Sequence, residues 1–116
     1  MTEETTTGEI ATVETFLRDA GITYRQLDYW TSQGHLIAVA DQNPGSGLHR
    51  LWEQRELDIA CVIARLRDCD IPLTTAARLA REHVELIEFS EDPAMPTTHD
   101  IGDGISITIR TASTDA

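Results

Sequence analysis

The chain has 116 residues, 41% of them apolar and 25% charged, with a formal charge of −11. These values suit one small globular unit with tails, and no apolar run approaches the length of a membrane span. Two cysteines, Cys61 and Cys69, make no disulfide framework, and the polar, acidic start MTEETTTGE is not a secretory leader. A soluble cytoplasmic protein with reduced thiols is therefore expected.

The charge is unevenly placed. Residues 1–9 hold three acids and no base, and residues 84–116 hold seven acids against Arg110 alone. Residues 10–83 hold ten acids and eight arginines, a net of −2. Most of the acidity belongs to the ends, and the centre is nearly neutral. All nine basic residues are arginine, which reads as a codon bias of a GC-rich genome.

In chain order, residues 1–11 are Thr- and Glu-rich with few apolar anchors and read as a disordered acidic tail. A first helix is predicted over Thr12 to Ala20, with Val13, Phe16 and Leu17 on one face and Gly21 as its stop. "TYRQ" has the form of a capping box: Thr23 accepts from a backbone N–H while Gln26 reaches back. The second helix follows over Tyr24 to Gln33, burying Leu27 and Trp30 or Tyr29, and Gly34 ends it. Two short helices joined at a glycine make a helix-turn-helix.

Leu36, Ile37 and Val39 then predict one strand, and Leu48 to Trp52 a second, with the turn-rich DQNPGSG between them. That is a β-hairpin with a longish loop, a wing. A third helix is predicted from Glu53 to Cys69 on the spacing of Ile59, Val62, Ile63 and Leu66. "DIP" breaks it, and Pro72 opens a fourth helix through Leu73, Ala76, Ala77, Leu79 and Ala80 to His83 or beyond. In the acidic extension 84–116, "VELIEF" is either more helix or a strand. "ISITIRT" alternates Ile105, Ile107 and Ile109 with Ser106, Thr108 and Arg110, a strand signal preceded by the turn GDG.

Arg25 and Gln26 fall in the first turn of the second helix. Arginine can pair with guanine O6 and N7, and glutamine with adenine N6 and N7, unless Gln26 is occupied in capping. Tyr24 and Tyr29 can donate to phosphates, or one of them can pack beside Leu27. On the wing's return strand, alternation puts His49 and Arg50 on opposite faces, so both cannot enter one groove; Arg50 is the better phosphate ligand. Ser46 and the glycines beside it suit close approach of a backbone N–H, or a plain turn. Trp30 and Trp52 belong to the core.

No catalytic set emerges. There is no phosphate-cradling glycine loop, Ser–His–Asp arrangement or carboxylate pair at a cleft, so no enzyme is expected. Cys61, Cys69 and four scattered histidines (His35, His49, His83, His99) lack the spacing of a zinc site. Both thiols are read as buried and structural, and no metal or other cofactor is implied.

The order helix, turn, helix, wing, helix, helix resembles the DNA-binding domain of the MerR family, most closely its actinobacterial branch. "GITYRQLDYWTSQGHL", "GSGLHRLW" and "LDIACVIARLRDCDIPLTTAARL" carry the likeness across residues 12–83. The resemblance implies a mainly α winged helix-turn-helix and a transcription regulator, usually dimeric, that binds double-stranded DNA. Thr23, Tyr24, Arg25 and Gln26 match the start of the family's recognition helix, Tyr29 an aromatic near the phosphate backbone, and Arg50 the wing arginine that grips phosphate. Ser46 and His49 fall on the same wing. Asp28 stands where most members carry arginine, and Glu53 replaces a serine-like cap. Members usually continue into a long dimerising helix and an effector domain, which Pro93 and Pro96 predict to be lacking here.

Two other functions fit the sequence. One is an excisionase-like factor that bends DNA for a recombinase. The other is an acidic winged module that contacts a protein such as RNA polymerase or another regulator, which Asp28 and the −11 charge favour. The extension at 84–116 has three readings: a passive tail, a strand pairing with "VELIEF" or with its copy in a homodimer, or an internal competitor for the arginines. Host and setting read as bacterial or phage.

Overall fold

The computed structural model describes residues 10–39, 50–92 and 94–110. Among them the chain is mainly helical with two small antiparallel sheets.

Strand β1 (Ile10–Ala11) opens the described chain and pairs antiparallel with β2 (Trp52–Glu53), Ala11 against Trp52. This corrects the expectation that the tail reaches residue 11. Ala11 is small enough to lie in the core, where it is buried, and the hydrogen bonds of a strand hold it there. Trp52 also bridges to Ala38 on its other side, and the Val39 N–H donates to the Leu51 carbonyl at 2.7 Å. The base of the predicted wing is thus present, with one bridge on the outgoing side among the described residues. Residues 40–49, with Ser46, His49 and the loop DQNPGSG, lie outside the described residues.

Helix α1 (Val13–Thr15) starts with a capping box between Thr12 and Thr15 and widens into a π-type turn over Phe16–Ala20. The widening changes the helical spacing. Phe16 is fully buried, but Leu17, expected beside it, is 37% exposed. Gly21 closes the turn at φ 71°, in the left-handed region that disfavours a Cβ. Helix α2 (Tyr24–Ser32) buries Leu27 and Trp30 and leaves Tyr29 out. Its partner in the core is Trp52, whose ring lies 4.9 Å from that of Phe16 and whose indole N–H donates to Thr31 Oγ1 at 3.3 Å.

Helices α3 (Gln54–Asp68) and α4 (Leu73–Ser90) pack along each other. Ile59, Ile63 and Leu66 meet Ala76, Leu79 and Ala80 in one core with Phe16, Leu27, Leu36 and Trp52. The alanines on α4 permit close approach of the two helices. The thiols are not both buried, as the spacing had suggested. Cys69 is exposed at the end of α3, while the half-buried Cys61 donates weakly to the Asp19 carbonyl at 3.8 Å, and burial pushes its thiol pKa up.

Helix α4 runs on through "VELIEF" to Ser90, which settles that segment as helix and crosses the boundary expected at residue 83. Past the left-handed Glu91, strands β3 (Thr97–Gly102) and β4 (Ile105–Ile109) form a hairpin, Thr97 opposite Ile109 and His99 opposite Ile107. "ISITIRT" therefore pairs with "TTHDIG" and not with "VELIEF". A chain of hydrogen bonds pins β3 to α4: His83 Nδ1 to Thr97 Oγ1 at 2.7 Å, Thr97 Oγ1 to His99 Nε2 at 2.6 Å, and His99 Nδ1 to Glu82 Oε1 at 2.9 Å. The hydrogen bond from His99 and the nearby Arg78 hold the Glu82 carboxyl below its usual pKa, so it accepts from His99. The Thr97 hydroxyl thus serves both imidazoles, which join Glu82 and His83 of α4 to β3.

Candidate nucleic-acid interface

The interface is assembled on α2. Thr23 Oγ1 accepts from the Gln26 N–H at 3.0 Å, and Gln26 Oε1 accepts from the Thr23 N–H at 2.9 Å. The capping box read from "TYRQ" is formed. It satisfies two backbone donors that a helix start would otherwise leave open. It also restricts Gln26. A two-bond contact with adenine needs the amide oxygen as acceptor, and that oxygen is engaged; the amide NH2 still donates. The Thr23 hydroxyl likewise keeps its proton to give.

Arg25 lies between these two, exposed, in the first turn, and has no ion pair among the described residues. Tyr24 is exposed beside it. Tyr29, for which core packing was an alternative, is 53% exposed one turn further on. Trp30 takes the inward position instead, so one face of α2 offers an arginine and two tyrosines.

Arg50 is half-buried, and its guanidinium Nη1 lies 3.3 Å from Asp28 Oδ1 on α2. Only one of its five N–H donors is committed to that contact. The pair was not legible in the sequence, because its members are far apart along the chain and Asp28 stood out only as an acid in an unusual place. It links the wing's return strand to the recognition-type helix. Ser46 and His49 fall outside the described residues.

The interface is held by a polar cluster that the sequence did not announce. Glu56, in the first turn of α3, is 3% exposed. It takes Arg81 of α4 at 2.8 Å on Oε1 and 3.0 Å on Oε2, and the same Oε1 accepts the Ile37 N–H at 2.9 Å. Arg81 also donates to the His35 carbonyl at 3.0 Å. The segment leaving α2 toward the wing is thereby tied to both core helices. Nearby, Arg55 grips Glu88 at 2.8 and 3.0 Å, which lowers the Glu88 pKa.

Among the described residues there is no group of three or more histidines, cysteines or acids placed to hold a metal ion. No described helix is long and apolar enough to cross a membrane.

Comparison with known proteins agrees with the geometry. The model of the MerR HTH family of regulatory proteins matches residues 11–83. Uncharacterised HTH-type transcriptional regulators of Mycobacterium tuberculosis and Mycobacterium bovis are 37% identical over 65 residues, which is 56% of this chain. The matched part is 28% of the length of each of those relatives.

Proposed function

From the premise that this chain belongs to the MerR family of helix-turn-helix regulatory proteins, we propose that it binds double-stranded DNA in the cytoplasm and regulates transcription. Helix α2 enters the major groove and the wing rests on the backbone. The DNA-binding unit is residues 12–83, with Ile10 and Ala11 completing its sheet. The relatives' naming as transcriptional regulators supports this reading over an enzyme.

The observation that carries it is Arg25: an exposed arginine in the first turn of a capped helix, with no acid holding it among the described residues. Arg25 reads guanine, while Tyr24, Tyr29 and the Thr23 hydroxyl donate to phosphates. Gln26 contributes its amide NH2. Arg50 meets phosphate with the donors that Asp28 leaves open.

Selection of bound sequences from random duplex DNA at low salt tests this, with anisotropy titrations on the enriched site. Arg25→Ala should erase the enriched motif and weaken binding by about 1–3 kcal/mol, with the fold intact. Arg50→Ala should weaken all sequences alike and reduce the slope of affinity against salt by about one counterion. Retention of motif and affinity in Arg25→Ala would remove α2 as the reading element.

The Asp28–Arg50 pair favours one other reading, in which the wing arginine is already satisfied and the fold contacts a protein. In that case no salt condition yields DNA binding, and charge reversal at Arg25 changes nothing about the partner.

A further inference from the structure

We propose that the open edge of β4 joins two copies of this chain, with the strands Ile105–Ile109 pairing antiparallel about a two-fold axis at Ile107. Two hairpins then become one four-stranded sheet. The inference does not depend on DNA binding.

The two edges of the hairpin differ. On β3, the register shifts between Asp100 and Gly102, the Asp100 carboxylate accepts the Gly102 N–H at 3.0 Å, and Arg78 donates to the Asp100 carbonyl at 3.3 Å. A bulge, a charge and a side chain laid on the backbone are the devices that close an edge to further strands. β4 has none of them. Its five residues are Ile-Ser-Ile-Thr-Ile, without charge or proline, and among the described residues its backbone bonds to β3 alone.

The open strand is also complementary to itself. Antiparallel pairing centred on Ile107 sets Ile105 against the second copy's Ile109, and Ser106 against the second copy's Thr108. Isoleucines meet isoleucines on one face and hydroxyls meet hydroxyls on the other. A slip of one residue would cross the faces, so this register is specified. The flanking charges select direction. Asp103 precedes the strand and Arg110 follows it. Antiparallel pairing sets each Arg110 opposite the second copy's Gly104, next to its Asp103, while in-register parallel pairing would set like charges together.

Exposure supports the same surface. A two-stranded hairpin is marginal alone, and further strands over a helix stabilise it. Ile105 is 56% exposed on the face that Ile107 and Ile109 turn to the core.

Sedimentation equilibrium on the full chain over a wide concentration range, without DNA, tests the proposal. Mass rising toward twice the monomer value is expected. Ser106→Lys/Thr108→Lys alters only exposed positions and opposes lysines across the axis, so it should stay monomeric with an unchanged circular dichroism spectrum. Ser106→Glu/Thr108→Glu should do the same. An equimolar mixture of the two should recover the dimer, an outcome that misfolding cannot produce. A wild-type chain that stays monomeric, a lysine variant that dimerises as well as wild type, or a mixture that fails to pair would each overturn the interface.

Discussion

Helix α4 carries two locks made of different chemistry, one residue apart. Arg81 turns to the wing side and closes an ion pair with the buried Glu56, which also holds the Ile37 N–H. Glu82 and His83 turn to the hairpin and close the chain through Thr97 and His99. The first lock is charge-assisted and ties the candidate interface to the core. The second runs through imidazoles, the side chains that titrate nearest neutrality. One helix thus supports a wing root fastened by a fixed charge pair and a hairpin fastened through His83, whose pKa burial lowers.

The largest effect should come from breaking the first lock. Glu56→Ala leaves the Arg81 guanidinium without its carboxylate and the Ile37 N–H without an acceptor. Removing one partner of a buried pair costs about 3–5 kcal/mol, and the partial exposure of Arg81 places this case at the lower end. Urea unfolding measures the loss. Amide exchange should quicken around Ile37 to Val39 before it does in α3. A loss below about 1 kcal/mol would mean that the wing root is fastened elsewhere.

The second lock is weaker. Thr97→Val keeps the shape and removes the hydroxyl that serves both imidazoles. Leaving buried polar groups unsatisfied costs about 1–3 kcal/mol. Exchange protection should fall in β3 and β4 and stay unchanged in α2, because no hydrogen bond of the second lock reaches the first. Equal loosening of wing and hairpin would show that the two locks act as one.

These locks also divide what sequence reading can reach. The helix-turn-helix was legible because its determinants are local. The box at Thr23 and Gln26, the stops at Gly21 and Gly34, and the inward Leu27 and Trp30 are all set by neighbours a turn away. Leu17 misled because a π-type turn changes the spacing that an α-helical reading assumes. β3 escaped notice because its buried face is polar. Thr97 and His99 stand where an apolar alternation would be sought, so "TTHDIG" shows no strand pattern. The Asp28–Arg50 and Glu56–Arg81 pairs join residues distant in sequence, and no spacing rule connects them. At the interface, Arg25 and the two tyrosines were singled out and emerge exposed. That Gln26 is shared with the cap followed from the same four residues.

Acid should separate the locks more gently than either deletion. Burial, with a smaller effect from His99, lowers the His83 pKa below the ordinary histidine value. The unfolded chain therefore binds a proton that the folded chain resists. His83 contributes its full stability above the ordinary histidine pKa of about 6.5, and that contribution declines as pH falls below it toward the folded value. Stability against urea should drop with acidification through this window, with the loss in hairpin amides first. His83→Asn should flatten the dependence. An unchanged slope in that variant would place the titration on another group.

The smallest effect concerns the residues that bring the chain into and out of α4. Asp70 precedes the helix at φ 66° and Glu91 follows it at φ 64°, both left-handed and neither glycine. Aspartate visits this region more readily than glutamate, because its short side chain bonds locally. Glu91 also sets a negative charge at a helix C-terminus, where the carbonyl ends already concentrate negative potential. Glu91→Gly relieves both costs. Glycine gives back part of the gain through the greater freedom of the unfolded chain. A net stabilisation of about 0.5–1 kcal/mol is expected, with Asp70→Gly nearer to neutral. Because Glu91 lies between α4 and the hairpin, its replacement should raise protection in β3 and leave DNA affinity as it was. Asp70 likewise follows a helix C-terminus, that of α3, so a gain there equal to that at Glu91 would show that the local bonding of aspartate does not ease its left-handed conformation.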